Sequence, residues 1–195
     1  TEELIIVSPY FVPGKKGAQA LCDLSTKGVK VRILTNSLAS NDVAAVHAGY
    51  AKYRKQLLNA GVLLYELDEQ VKKEVGKLFT WLPGLSKSSL HAKTMVIDRK
   101  IMFVGSMNLD QRSLHINNEI GILFLNSVVA GSSAEAFDRH ITKVAFRLEL
   151  HNDDAIRWYL KQDDGEIIYD KEPYVSFWKK LSVWFIGLLP VKSLL

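Results

Sequence analysis

A strand–helix–strand pattern at the start of the chain limits its fold more than any other feature. Residues 4–8 form a short apolar run, residues 16–27 fit a helix, and residues 29–34 alternate apolar with basic side chains. Gly28 suits the left-handed backbone that often ends a helix. Because a strand, a helix and a strand within about 30 residues form a right-handed parallel unit, the sequence predicts an α/β fold.

The later segments extend this unit into a larger sheet. The pattern predicts helices over 43–59 and 133–149, strands over 62–67, 90–98, 101–105 and 120–125, and a loop or short hairpin over 72–89. A turn at residues 99–100 would join the strands over 90–98 and 101–105. We therefore expect a mixed, largely parallel β-sheet flanked by helices on both faces.

The length and composition fit one domain with an appended tail. The chain has 195 residues, 48% of them hydrophobic, which is enough to bury a core without disulfides. We assign residues 1–160 to the domain and 161–195 to a hairpin followed by an amphipathic helical tail. The tail holds Trp178, Trp184 and Phe185 near lysines, which is typical of a helix that contacts a membrane surface. Docking on protein is the alternative for this tail.

The net charge and the cysteine content exclude few classes of function. The net charge of +4 suits any anionic partner, phospholipid or nucleic acid. The single Cys22 lies in an apolar helical stretch, where it is expected to pack. No apolar run reaches about 18 residues, so no membrane-spanning helix is predicted. The chain opens on a core strand without an initiator methionine, and we interpret it as part of a longer protein.

The candidate catalytic residues cluster in one stretch. His91, Lys93 and Asp98 are followed by Gly105, Ser106 and Asn108. Strand alternation places His91 and Lys93 on one face, and a buried pair of this kind would be costly unless an anion met it. The imidazole suits attack on phosphorus or proton transfer. The ammonium and the Asn108 amide would hold the phosphoryl oxygens, with Ser106 donating as well.

Two carboxylates have supporting roles in this prediction. Glu119 would hold the Nδ1–H of an imidazole and fix its tautomer. Asp98 lies at a turn and is expected to brace the site through an ion pair without touching substrate. The five histidines show no metal-ligand spacing, so neither a metal nor any other cofactor is predicted.

These residues resemble the phospholipase D superfamily, whose signature is His-x-Lys-x4-Asp followed by Gly-Ser-x-Asn. Segments 8–14, 41–54, 108–113 and 117–120 look like the second half of bacterial cardiolipin synthases, of the type that uses phosphatidylethanolamine as donor. The resemblance implies two motifs facing each other across a pseudo-two-fold axis. One histidine forms a phosphohistidine, and the other transfers protons.

Because this chain carries one motif, the resemblance implies a partner. That partner would be the N-terminal half of the same protein or a second copy, without which the chain is expected to be inactive. The role of His91 as nucleophile or acid–base stays open.

A third group is expected near the substrate headgroup. His47, Tyr50 and Arg54 share a helical face at spacings of three and four. We predict that they line a headgroup pocket, a packed or solvated helix face being the alternative.

The resulting prediction is a transphosphatidylase that forms cardiolipin from phosphatidylglycerol and a second phospholipid, either phosphatidylethanolamine or phosphatidylglycerol. It would act peripherally at the cytoplasmic face of a bacterial inner membrane. The alternatives are a phosphodiesterase acting on nucleic acid or phospholipid and a non-catalytic half used for assembly. The aromatic residues concentrate near the end of the chain, which favours a lipid partner over nucleic acid.

Overall fold

A mixed β-sheet runs through the part of the protein that the structure describes. The computed structural model describes residues 1–70 and 90–176, together with Trp178 and Leu181. Its strands in chain order are β1 (Glu3–Val7), β2 (Lys30–Asn36), β3 (Leu63–Leu67), β4 (Thr94–Ile97), β5 (Ile101–Gly105), β6 (Gly121–Leu125), β7 (Ala145–Leu150), β8 (Ile156–Gln162) and β9 (Gly165–Tyr169). They form one nine-stranded sheet in the order β6-β5-β4-β1-β2-β3-β7-β8-β9.

Helices cover both faces of this sheet. They are α1 (Gly14–Thr26), α2 (Ala44–Ala51), α3 (Arg54–Asn59), α4 (Gln111–His115) and α5 (Ser127–Val144). Alternate residues of β1 face opposite sides. Val7 belongs to the core beneath α5, whereas Ile6 belongs to the core that includes α1 and α3. Each large aliphatic side chain buried in these cores contributes roughly 1.5–3 kcal/mol.

The predicted α/β fold with a mixed sheet and helices on both faces is confirmed. The share of parallel pairing is smaller than expected, since only β1–β2 and β2–β3 are parallel among the described strands. The other six pairings are antiparallel. β4 and β7 each join the parallel centre in the antiparallel direction, and hairpins then add further antiparallel strands on both sides.

The predicted helix over 133–149 is wrong at both ends. It begins at Ser127 because the Asn126 side chain accepts hydrogen bonds from the backbone N–H groups of Val128 and Val129, at 2.9 and 3.2 Å. It ends at Val144, and residues 145–150 form β7 instead. Phe146 and Leu148 are both buried, which is the two-residue period of a strand.

The helix predicted over 43–59 is divided into α2 and α3 by a turn at Lys52 and Tyr53.

Cys22 is buried in the core as expected, with its Sγ 3.6 Å from the Gln56 carbonyl oxygen. The boundary that we assigned at residue 160 falls inside β8. Strands β8 and β9 pair as a hairpin at the edge of the same sheet.

The predicted tail lies mostly outside the described residues. Trp184 and Phe185 belong to that part, as does the whole segment predicted as a loop over 72–89. Trp178 is described and is 75% exposed. In the part of the chain that the structure covers, no helix is both long enough and apolar enough to cross a bilayer.

Candidate active site

A tight hairpin between β4 and β5 positions the candidate catalytic residues. Its turn is formed by Asp98 and Arg99, whose φ angles are 51° and 53°, and Lys100 N–H donates to the Ile97 carbonyl at 3.0 Å. Positive φ at both central residues is the geometry that matches the twist of paired strands. The turn therefore lies one residue before the predicted position. The two segments that extend beyond the strands, 91–93 and 106–108, meet at the opposite end of the hairpin.

Five predicted residues come together there. They line one open cavity of about 500 Å³, together with Ala92 and Val104; the five are His91, Lys93, Gly105, Ser106 and Asn108. We call this cavity the phosphate pocket. His91 is exposed at its rim, whereas Lys93 is only 8% exposed. The pocket thus combines an accessible imidazole with a nearly buried ammonium.

The surroundings of Lys93 favour an anionic ligand. Its Nζ donates to the His91 carbonyl oxygen at 3.1 Å. Burial lowers the pKa of Lys93, while the carboxylates of Glu119 and Asp110 act in the opposite direction. A buried ammonium is destabilised by the loss of water, and a phosphate oxygen would replace that solvation.

Gly105 allows two backbone segments to approach closely beside the pocket. A Cβ atom at this position would lie 2.6 Å from the Ile120 carbonyl oxygen. Gly105 N–H donates to the Lys93 carbonyl at 3.1 Å, and Ser106 N–H donates to the Ile120 carbonyl at 2.9 Å. This packing fixes Ser106 at the pocket wall.

Glu119 lies beside the pocket, but with partners other than the expected imidazole. Its carboxylate accepts hydrogen bonds from the hydroxyl of Ser106 and, at 3.1 Å, from the amide of Asn117. These two bonds lower the pKa of Glu119. In the residues that the structure covers, Glu119 therefore orients Ser106 and not an imidazole.

Asp98 lies away from the phosphate pocket, at the other end of the hairpin. Its Oδ1 accepts the backbone N–H groups of Glu2 and Glu3, at 2.6 and 2.9 Å. Through these two hydrogen bonds Asp98 braces the start of β1. Because these bonds fasten β1 to the turn, Asp98 supports the hairpin and does not contribute to the pocket.

The three residues expected in a headgroup pocket are buried inside the protein. His47, Tyr50 and Arg54 are each at most 4% exposed. Arg54 pairs with Glu66 at 3.0 Å and with Glu172 at 2.6 Å. Burial and the Arg54 charge lower the pKa of His47. The structure thus corrects the headgroup prediction in favour of the packed helix face, since these side chains form a closed internal network that we call the Arg54 cluster.

Sequence reasoning gave no role to Asp110, Asn117 and the partners of Arg54. Asp110 caps α4, because its Oδ1 accepts the Ser113 N–H at 2.7 Å. An aspartate just before a short helix is a recognisable signal for such a cap. Glu172 gave no comparable signal, since it is 118 residues from Arg54.

Within the described residues, potential metal ligands are not gathered in one place. Among residues 1–70 and 90–176, no group of three or more His, Cys, Asp or Glu side chains could hold a metal ion.

Comparison with known proteins identifies the family. Residues 1–141 match the family model described as cardiolipin synthase, PLD-like domain. Cardiolipin synthase C from Escherichia coli is 43% identical over 195 residues, covering 100% of this chain and 41% of that protein. Cardiolipin synthase A from Yersinia pseudotuberculosis is 31% identical over 144 residues, covering 74% of this chain and 26% of that protein. The chain therefore spans less than half the length of these relatives.

A solved structure shares the fold. The phospholipase D family member Nuc from Salmonella typhimurium matches with a TM-score of 0.55 and 14% identity, over 76% of this chain and 82% of that one. At this identity the match concerns the fold alone. The family model, in contrast, covers most of the chain and includes every residue of the phosphate pocket. The chain belongs to the PLD-like domain family of the cardiolipin synthases.

Proposed function

We propose that the protein contributes one half of a phosphatidyltransferase that makes cardiolipin. The substrates would be phosphatidylglycerol and a second phospholipid, either phosphatidylethanolamine or phosphatidylglycerol. The observation that carries this proposal is the convergence of His91, Lys93 and Asn108 on one open pocket. Its support from relatives is the 43% identity to a cardiolipin synthase along the whole chain.

The reaction takes place in two displacements at phosphorus. In the first, an imidazole nitrogen attacks, a P–N bond forms, and the P–O bond to the donor headgroup breaks as that oxygen takes a proton from a second imidazole. In the second, a hydroxyl of phosphatidylglycerol attacks the same phosphorus, the P–N bond breaks, and the hydroxyl proton returns to the second imidazole. His91 supplies one imidazole, and either role fits its exposed position.

The other pocket residues stabilise the charge that develops on the phosphoryl oxygens. Lys93 provides a cation with few competing water molecules, and the Asn108 amide provides N–H donors. In this structure the Ser106 hydroxyl donates to Glu119. When substrate is bound, the same hydroxyl can donate to a phosphoryl oxygen instead. No metal or other cofactor has a part in this scheme.

The second imidazole requires a second phospholipase D-like half, and a surface beside the pocket suits such a partner. All five residues of β6 are exposed, and four of them are large and apolar: Ile122, Leu123, Phe124 and Leu125. We call these four side chains the β6 surface. Soluble proteins rarely leave such an apolar edge strand uncovered. We infer that the N-terminal half of a longer chain, or a second copy, covers it.

The phospholipid substrates place the protein at a bilayer surface. We propose a peripheral position at the inner membrane of a bacterium, on the cytoplasmic face. The exposed Trp178 supports contact with lipid headgroups, because indole rings favour the membrane–water interface.

One variant tests the proposal directly. In the full-length protein, His91→Ala should lower cardiolipin formation in mixed phosphatidylglycerol and phosphatidylethanolamine vesicles by at least ~10³-fold, because either chemical role of His91 is needed for turnover. His151→Ala is the matched control, since His151 lies at the end of β7 and contacts Tyr159. A residual rate within about tenfold of wild type would exclude a chemical role for His91. Cleavage of single-stranded DNA without cardiolipin formation would favour the nuclease alternative.

A further inference from the structure

A second cavity adjoins the phosphate pocket. It has a volume of about 280 Å³, and its polar lining includes Tyr10, Asn108, Asp110, Arg112 and Asn117. Asn108 lines both cavities. We call the second one the side cavity. Because the two share Asn108, a ligand in the side cavity would be separated from the phosphate pocket by one side chain.

Segments far apart in the sequence build the side cavity. Tyr10 follows β1, whereas Asp110 and Arg112 lie at the start of α4. Hydrogen bonds hold these two regions together. Val12 N–H donates to the Leu109 carbonyl at 2.7 Å. Leu109 N–H in turn donates to the Ser8 hydroxyl at 3.2 Å. The proposed chemistry at phosphorus gives the loop containing Tyr10 no role.

Part of the side-cavity lining presents hydrogen-bond acceptors. Tyr10 donates its hydroxyl proton to Asp42 Oδ1 at 2.8 Å, which leaves the phenolic oxygen free to accept. Asp110 uses one carboxylate oxygen for the Ser113 N–H, and the second can accept from a ligand. Asn108 Oδ1 is buried and has no hydrogen-bond partner in the described part of the chain. A buried oxygen without a partner is uncommon and indicates a place for a donor.

The same lining also includes a hydrogen-bond donor and two apolar side chains. Arg112 is exposed, and its Nε donates to the Asn117 side-chain oxygen at 3.3 Å. Val43 and Val46 line the cavity as well. A small group with several hydroxyls and a short carbon chain matches this combination, because each hydroxyl can donate to an acceptor and also accept a bond.

We propose that the side cavity binds the glycerol headgroup of phosphatidylglycerol as the acceptor alcohol, which deepens the proposed function and rests on it. Tyr10, Asn108 and Asp110 would orient the headgroup so that its terminal hydroxyl faces the phosphorus. That hydroxyl forms the new P–O bond while the P–N bond breaks, and its proton moves to the second imidazole. The side cavity therefore positions the acceptor and takes no part in the displacement itself.

The test separates transfer to phosphatidylglycerol from transfer to water. Full-length protein is assayed in mixed phosphatidylglycerol and phosphatidylethanolamine vesicles, and both cardiolipin and phosphatidic acid are measured. Tyr10→Phe and Arg112→Gln should each lower the cardiolipin to phosphatidic acid ratio about tenfold, the factor for one hydrogen bond of ordinary strength. The half-saturating fraction of phosphatidylglycerol should rise by a similar factor. Tyr159→Phe is the matched control, since Tyr159 lies on β8 and contacts His151.

The outcomes distinguish this inference from the proposed function. An unchanged product ratio in both variants, with wild type making cardiolipin, would overturn the acceptor site and leave the proposed function intact. A proportional loss of both products would also overturn it, because a general defect does not select between acceptors. If the variants changed only the half-saturating fraction of phosphatidylethanolamine, the side cavity would bind the donor headgroup. That result would also overturn the acceptor site. Wild type that makes no cardiolipin would refute both.

Discussion

The substitution Glu172→Gln tests how the end of the described chain is fastened to the rest of the protein. Glu172 is 18% exposed and lies in the segment after β9. Its Oε1 accepts from Arg54 at 2.6 Å and is 3.1 Å from His47 Nε2. Burial would raise the pKa of Glu172, but the hydrogen bond with His47 and the Arg54 charge outweigh it and hold the pKa at about 2. The carboxylate is therefore more stable in the folded protein than in the unfolded chain.

The size of this contribution follows from the pKa. A decrease from 4.5 to about 2 corresponds to roughly 3 kcal/mol of unfolding free energy, because a difference of one in pKa is worth about 1.4 kcal/mol. Since the folded pKa is lowered, the contribution is fully present above about pH 4.5 and is lost as the pH falls toward 2. Glutamine keeps the shape of the side chain but cannot carry the charge. Glu172→Gln should therefore cost roughly 3 kcal/mol at pH 7 and almost nothing near pH 2.

Urea unfolding at a series of pH values measures this difference. Glu166→Gln is the matched control, because Glu166 is 44% exposed and lies 3.4 Å from Arg147, an ion pair worth at most about 1 kcal/mol. A loss below about 1 kcal/mol at pH 7, or an equal loss at pH 7 and pH 3, would refute the argument from the pKa.

Two further predictions concern the phosphate pocket and the β6 surface. Lys93→Met should lower turnover by about 10²-fold or more while the urea midpoint stays the same or rises, because the variant removes a nearly buried charge. A lower midpoint together with full turnover would contradict the pocket assignment. Leu123→Glu should weaken association with the second half by about tenfold or more, measured by sedimentation, since Leu123 is 59% exposed on the β6 surface. Unchanged association would show that the partner binds elsewhere, and Glu135→Gln on α5 provides an exposed control.

The local part of the site could be predicted from the sequence. His91 and Asn108 are joined by a single hairpin, so strand alternation and one turn bring them to the same end. The internal contacts required information that no local pattern contains. The Arg54–Glu172 pair spans 118 residues, and the Tyr10–Asp42 bond spans 32.

The errors in the predicted elements have a common physical cause. Phe146 and Leu148 follow a long helical pattern, and the same spacing also fits a strand. Residues 145–150 form a strand and not a helix because they pair with β3, which lies about 80 residues earlier in the chain. His47, Tyr50 and Arg54 illustrate the same limit, because a polar helix face does not reveal that Glu66 and Glu172 will enclose it.

The position of β6 at the end of the sheet also restricts how copies of this domain can associate. An unpaired edge of backbone N–H and C=O groups can accept another strand, and a head-to-tail arrangement would then repeat into an open filament. An edge-to-edge arrangement about a two-fold axis pairs the β6 edge of one copy with the β6 edge of the other, so no free β6 edge remains and growth through it ends. The choice between a discrete pair and a fibre thus depends on symmetry more than on the strength of any single contact.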